Sequence, residues 1–174
     1  SFAHTMFFGI GAYGVAIACT RLEPSLGAVA LGVGVALVVS LLLSLLIGLF
    51  SLRVRAIFFA MITLAVASAF LSLASQLSDL TGGEDGLTFK VPELLQDRVV
   101  AYYLLFTTAA LLVLMLLRIV NSPFGRVLQA IRENDFRAEA IGYRTVVYRT
   151  LASVLSALFA TLAGALLAIW LRYN

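Results

Sequence analysis

Four stretches of this chain run for nineteen or more residues without Asp, Glu, Lys or Arg: Pro24–Leu52, Ala56–Ser78, Val99–Leu117 and Leu151–Leu171. A helix of roughly 18–20 residues crosses the hydrocarbon core of a bilayer. Lipid offers no partner to a backbone N–H or C=O, so runs of this kind are forced into helices. A fifth run, Phe2–Thr20, holds one titratable group, His4. With 62% hydrophobic and 12% charged residues, the chain lies far from an ordinary soluble domain. The fold expected is all-α, a polytopic transmembrane helix bundle of about five spans, near residues 2–20, 25–52, 56–78, 99–117 and 150–171. Segment 79–98 becomes an external loop and 118–149 a cytoplasmic one, all within a single transmembrane domain over 1–174. The chain reads as a portion of a longer membrane protein.

Arginine bookkeeping sets the expected orientation. Segment 118–149 carries six arginines (118, 126, 132, 137, 144, 149) against Glu133, Asp135 and Glu139. Helix alternation places Arg53 and Arg55 on that same side. The opposite side holds Arg21, Lys90, Arg98 and Arg172 with Glu23, Asp79, Glu84, Asp85, Glu93 and Asp97. Lys/Arg excess marks the cytoplasm, which puts the N-terminus inside. The net charge of +3 is thus a topology signal, and binding to nucleic acid is not expected.

The charged segment is also patterned. Asn121-Ser122-Pro123 reads as a helix start, with Ser122 as N-cap and Pro123 in the first helical position. Phe124, Val127, Leu128 and Ile131 recur at i, i+3, i+4 and i+7, one apolar face of a short amphipathic helix. Asn134 or Asp135 caps a second short helix that stops at Gly142, a natural left-handed residue. Two short helices between apolar spans have the form of a docking element.

Elsewhere the signals concern packing and polarity. Gly9-Ile10-Gly11-Ala12-Tyr13-Gly14 has the GxGxxG spacing of dinucleotide sites, but no strand or βαβ unit surrounds it. In a membrane helix such glycines allow either close helix approach or a break lining a solute cavity; both readings stay open. His4 is either a hydrogen-bonded interfacial residue or a proton relay. Ala28/Gly32 and Ala30/Gly34 are small-xxx-small pairs, and Ala152, Ser156, Ala160, Gly164 and Ala168 form a small-residue ridge at four-residue spacing. Ser68, Ser72, Ser75 and Asp79 share one helical face with Gln76 beside them. That stripe serves either interhelical hydrogen bonds or a hydrophilic solute. Leu80–Leu87 is a glycine-rich turn segment, and Tyr102, Tyr103, Trp170 and Tyr173 mark one membrane interface.

No catalytic chemistry is legible. One histidine and one cysteine, Cys19, provide no metal-ligand cluster, thiol pair or nucleophile–base arrangement, so neither a metal nor a cofactor is expected. The spans also lack the charged groups typical of ion-driven transporters, so if the chain transports, the energy is expected to come from elsewhere.

The residues resemble the membrane-spanning permease subunits of ABC importers of the branched-chain amino-acid type. The resemblance covers essentially the whole chain. It rests on FFGIGAY (Phe7–Tyr13), RVRAIFFAMITLA (Arg53–Ala65), LTGGEDGL (Leu80–Leu87), SPFGRVLQAIRENDFRAEAIG (Ser122–Gly142) and LAGALLA (Leu162–Ala168). It implies a bacterial inner-membrane protein that pairs with a second permease. ABC ATPase subunits dock on its coupling loop, and an extracytoplasmic solute-binding protein delivers solute. Asn134–Gly142 would be the coupling helix, with Phe136, Arg137, Ala138, Glu139, Ala140, Ile141 and Gly142 as coupling residues. The glycine of the wider importer "EAA" pattern falls here three residues after Glu139 instead of six.

The function expected is non-catalytic: a permease moving branched-chain amino acids or a similar small polar solute inward. His4, Gly9, Gly11, Ser68, Ser72, Ser75 and Gln76 are the candidate solute path. A passive facilitator and a structural assembly subunit are the alternatives.

Overall fold

The computed structural model describes residues 2–51, 56–83 and 86–171. The Arg53/Arg55 turn, Glu84 and Asp85, and Arg172 with Tyr173 lie outside the described residues. Every regular element among those described is helical. In order they are α1 (His4–Arg21), α2 (Leu26–Ser51), α3 (Ala56–Gln76), α4 (Ser78–Thr81), a 3-10 turn at Glu93–Leu95, α5 (Arg98–Val120), α6 (Pro123–Glu133), α7 (Asp135–Ala140) and α8 (Thr145–Leu171). The all-α bundle expected from the uncharged runs is what forms.

The core is a sandwich of three helices, α1, α2 and α8, each packed against the other two. Small residues set the distances. A Cβ placed on Gly11 would lie 1.9 Å from the Thr161 carbonyl oxygen, and one on Gly164 would lie 1.9 Å from that of Phe8. On the other side of α1, a Cβ on Gly32 would sit 2.5 Å from the Gly14 oxygen. Backbones therefore meet directly at both crossings, the geometry that lipid favours because dispersion contacts, rather than exclusion of water, hold helices together there. α1 is one continuous helix through Gly9–Gly14, so the glycines serve packing and the broken-helix reading is not realised.

A single interhelical hydroxyl pair sits inside this sandwich. Thr161 Oγ1 donates to Ser40 Oγ at 2.6 Å and also to the Ala157 carbonyl at 2.9 Å. Both side chains are fully buried. Around it pack Met6, Phe7, Ile10, Ala36, Ile47 and Ala157 toward one end, and Val15, Cys19, Ala165 and Ile169 toward the other.

The helix faces differ in part from the sequence expectation. Ala28 and Gly32 are buried as anticipated, and the row continues through Ala36, Ser40 and Ser44 to Gly48, whereas Ala30 and Gly34 are exposed. On α8 the buried row is Ala157, Thr161, Ala165 and Ile169, with Gly164 beside it. The Ala152–Ala168 ridge lies one step round the helix and, Gly164 apart, is half-buried. α8 also begins at Thr145, five residues before the start expected at 150, and α5 continues to Val120.

α3 and α5 are peripheral. α3 rests Phe59, Val66, Ala67 and Phe70 on the core and is tied through Thr63 Oγ1, which accepts the Phe2 amide at 3.2 Å. α5 buries Ala101 alone, and its Tyr102 ring lies 6.5 Å from that of Trp170. Tyr102 and Trp170 thus stand at one end of the bundle, as their reading as one aromatic belt requires.

Segment 86–97 is exposed for much of its length but anchored on the bundle at two points. Val91 and Leu95 are almost wholly buried against Val15, Cys19, Ala165 and Ile169, and Gln96 Nε2 donates to the Val91 carbonyl at 3.3 Å. It closes one end of the α1–α8 pair like a cap. Gly82, with φ +74, makes the turn into it, and a Cβ there would lie 2.3 Å from the Gly86 oxygen.

Candidate functional site

Two places on this scaffold carry features beyond packing, one at each end of α8. The first is the α6–α7 segment. Ser122 caps α6 by accepting the Gly125 amide at 3.4 Å, with Pro123 in the first turn. Gly125 is buried against the end of α5: a Cβ there would fall 2.0 Å from the Val120 oxygen, so the α5–α6 corner admits only glycine. α6 turns Phe124, Val127, Leu128 and Ile131 inward and leaves Arg126, Arg132 and Glu133 exposed, the face expected from their spacing. Phe124 stacks on Tyr148 of α8 at 5.6 Å, and Tyr143 meets the same ring edge-on at 5.9 Å.

α7 has only six residues, too few to be stable alone. Asn134 caps it, its Oδ1 accepting the Arg137 amide at 3.0 Å. Ala138 is buried beneath it. Gly142 ends the element with φ +101, its amide donating to the Glu139 carbonyl at 2.9 Å. Two acids reach α8: Glu139 Oε1 accepts from Thr145 Oγ1 at 2.7 Å, and Asp135 Oδ2 pairs with Arg149 Nη2 at 2.8 Å. Asp135 Oδ1 is buried without a partner among the described residues. The opposite side of α7 is bare. Phe136 is 85% exposed and Ile141, just past it, 70%, while Arg137, Glu139, Ala140 and Gly142 are exposed as well. Of the expected coupling residues, all but Ala138 are thus at the surface.

The second place is a cleft of about 380 Å³ at the far end of α8. Ala12, Tyr13 and Ala16 of α1, Ala168 and Leu171 of α8, and Leu87, Thr88 and Phe89 of the cap line it. Its wall is mostly apolar, with the Tyr13 and Thr88 hydroxyls as its side-chain polar groups. An apolar pocket with few hydrogen-bonding groups is the usual form of a site for a small solute with an aliphatic part. None of these residues was among the expected solute path. Ala12, Tyr13 and Ala168 belonged to noted motifs, but nothing in an apolar helix tells which way they face.

The expected solute-path residues are not gathered here. His4 Nε2 lies 2.5 Å from Ser156 Oγ, joining α1 to α8 near the end away from the cleft. Gly9 faces open space and Gly11 is sealed against α8. Ser68, Ser72, Ser75 and Gln76 are all exposed on α3, with Ser75 Oγ donating to the Ser72 carbonyl at 2.9 Å. Taking 100° per residue, they lie opposite the face that α3 packs on the bundle. Among the described residues the stripe makes no side-chain hydrogen bond to another long helix.

Four helices, within Leu26–Leu49, Phe58–Gln76, Arg98–Val120 and Thr145–Leu171, are long and apolar enough to cross a membrane. Leucine, valine and phenylalanine side chains lie bare along them, including Leu42, Leu46, Leu49, Phe106, Leu111 and Leu114. A soluble monomer does not expose apolar surface on that scale. This is a multi-pass α-helical membrane protein.

Residues 1–173 match the family described as "Branched-chain amino acid transport system / permease component", and the chain belongs to that family. Over 114 residues it is 30% identical to the protein named "Probable branched-chain amino acid transport permease protein LivM" of Methanocaldococcus jannaschii. That alignment covers 62% of this chain and 32% of the relative, so the chain corresponds to about a third of the relative's length. No solved structure matches it.

Proposed function

We propose that the chain is part of the permease of an ATP-driven importer for branched-chain amino acids or a similar small polar solute. The whole transporter would comprise ABC ATPase subunits, a second permease and an extracytoplasmic solute-binding protein. The permease catalyses nothing itself. In this reading the protein sits in a bacterial inner membrane with its N-terminus and the α6–α7 segment in the cytoplasm, and α1 is a fifth span. About 27 Å long at 1.5 Å per residue, α1 nearly matches the hydrocarbon thickness.

The observation that carries this reading is α7. A six-residue helix held at both ends turns Phe136 and Ile141 into water. Exposed aromatic and aliphatic anchors on a rigid element in a charged segment are what a docking partner buries. Here that partner is the ATPase subunit. Solute released outside would meet the cleft at the opposite end of α8, and the Ser68–Gln76 stripe would line a path shared with another permease segment.

The test is co-purification of the assembled transporter with Phe136→Asp and Ile141→Asp, together with uptake into liposomes. Removing both anchors should strip the ATPase subunits and abolish ATP-dependent uptake. Unchanged ATPase retention refutes the docking role. Solute flux through the unaltered chain without ATP or partners would instead establish a passive facilitator.

A further inference from the structure

The acids of α7 face α8, and their spacing makes a device. Asp135 and Glu139 stand four apart on α7; Thr145 and Arg149 stand four apart on the first turns of α8. Each i, i+4 pair lies on one side of its helix, so the two pairs can meet as the rungs of a ladder. They do so in antiparallel order: Glu139 to Thr145 at 2.7 Å near the turn, Asp135 to Arg149 at 2.8 Å one helical step beyond. We propose that this two-rung clasp fuses α7 to α8, so that displacement of α7 by a docked partner is delivered to α8 as one rigid body. The inference rests on α7 being the docking helix.

Three observations support it. First, the chain between the helices cannot hold them by itself. It turns through Gly142 at φ +101, and its hydrogen bonds to α7, Gly142 N to the Glu139 carbonyl at 2.9 Å and Tyr143 N to the Ala138 carbonyl at 3.1 Å, stop short of α8, which it touches through the Tyr143 ring on Tyr148. Second, the clasp uses neither anchor: Asp135 and Glu139 make the contacts to α8, while Phe136 and Ile141 stay 85% and 70% exposed. Third, α8 is the element through which movement reaches the rest of the molecule. Its Thr161 bonds Ser40 of α2, and its Thr161 and Gly164 lie against the backbone of α1 at Gly11 and Phe8. A push on α7 that reaches α8 is therefore felt directly by the core sandwich. A push that stayed in α6 would reach α8 only through rings such as Phe124 and Tyr148.

Thr145 and Arg149 are accordingly positioning residues, acting through α7. Thr145 is buried, so the inner rung is shielded on its α8 side, while Glu139 remains exposed. Arg149 is the guanidinium paired with Asp135, whose second oxygen finds no donor among the described residues.

The experiment removes the clasp without touching the docking face. In the chain alone in detergent, Thr145→Val with Arg149→Gln should raise amide exchange over 135–140 by roughly tenfold, the loss of two modest hydrogen bonds. In the assembled transporter the same double variant should keep its ATPase subunits yet move several-fold less solute per ATP hydrolysed. A Glu139→Cys, Thr145→Cys pair joined by a short thiol cross-linker should then recover that ratio relative to its unlinked form. Unchanged exchange, an unchanged uptake-to-hydrolysis ratio, or a ratio that falls further on cross-linking each overturns the clasp. ATPase subunits missing from the unaltered transporter would overturn the docking reading, while the exchange result in the isolated chain still decides whether the rungs hold α7.

Discussion

Gly9 and Gly11 sit two residues apart on the same helix, and the structure gives them opposite fates under the same substitution. A Cβ on Gly11 would lie 1.9 Å from the Thr161 carbonyl oxygen, 2.8 Å from its carbon and 3.1 Å from the Ala165 amide nitrogen. All three are backbone atoms, so no side-chain rotation relieves the clash. To restore a contact of about 3.3 Å, α1 and α8 must separate locally by roughly 1.4 Å. α1 has no free space to retreat into, because Gly14 and Gly32 hold it equally close to α2. Overpacking of this kind costs about 1–3 kcal/mol. Moving Thr161 also stretches its 2.6 Å bond to Ser40, adding about 0.5–1.5 kcal/mol. Gly11→Ala should therefore destabilise the bundle by about 2–4 kcal/mol, taking those two contributions together. Gly9→Ala meets nothing within 4 Å, and alanine is the better helix former by up to about 1 kcal/mol, so it should be neutral or mildly stabilising. Unfolding of the chain from mixed micelles by titration with a denaturing detergent, followed by circular dichroism, measures both. Equal losses for the two variants would refute the close α1–α8 crossing on which the core rests.

Two further outcomes follow from the same packing. Thr161→Val should cost about 1 kcal/mol in the same titration, and Ser40→Ala added to it should cost little more, because the two hydroxyls share one interhelical bond; additive losses would show that they do not. Gly125→Ala should open the α5–α6 corner, since the new carbon would fall 2.0 Å from the Val120 oxygen; a cysteine placed at the exposed Arg126 would then change its labelling rate, and an unaltered rate would count against that corner.

How much of this was legible in one dimension differs from element to element. The Ser122 cap, the Pro123 start, the inward face of α6, the Asn134 cap and the Gly142 stop all follow from local chemistry and appear as read. So do the long helices, because an uncharged run in lipid has no other way to satisfy its backbone. The coupling segment could be delimited for the same reason. What could not be read is the use of its acids: spacing offers Asp135 as a cap and the resemblance offers Glu139 as a coupling residue, and they reach across to Arg149 and Thr145. Nothing in the segment 134–142 shows that α8 starts early enough to meet them.

The sequence by itself determined which long segments are helices, where α6 and α7 begin and end, and that the whole belongs in a membrane; α4 and the 3-10 turn at Glu93–Leu95 were not legible in it. Tertiary structure alone decided which side of each long helix faces inward. α6 has its residues sorted into an apolar and a polar face, so its spacing reveals which side is buried. The long helices are apolar all round, since lipid accepts the same side chains as the interior does, and no such sorting takes place. That is why Ala30 and Gly34 looked as good a contact pair as Ala28 and Gly32, why the buried row of α8 runs through Thr161 and not Ser156, and why the cleft at Tyr13 went unseen. Rotation about a helix axis is fixed by the shapes of neighbours, and those neighbours are known only once the chain has folded.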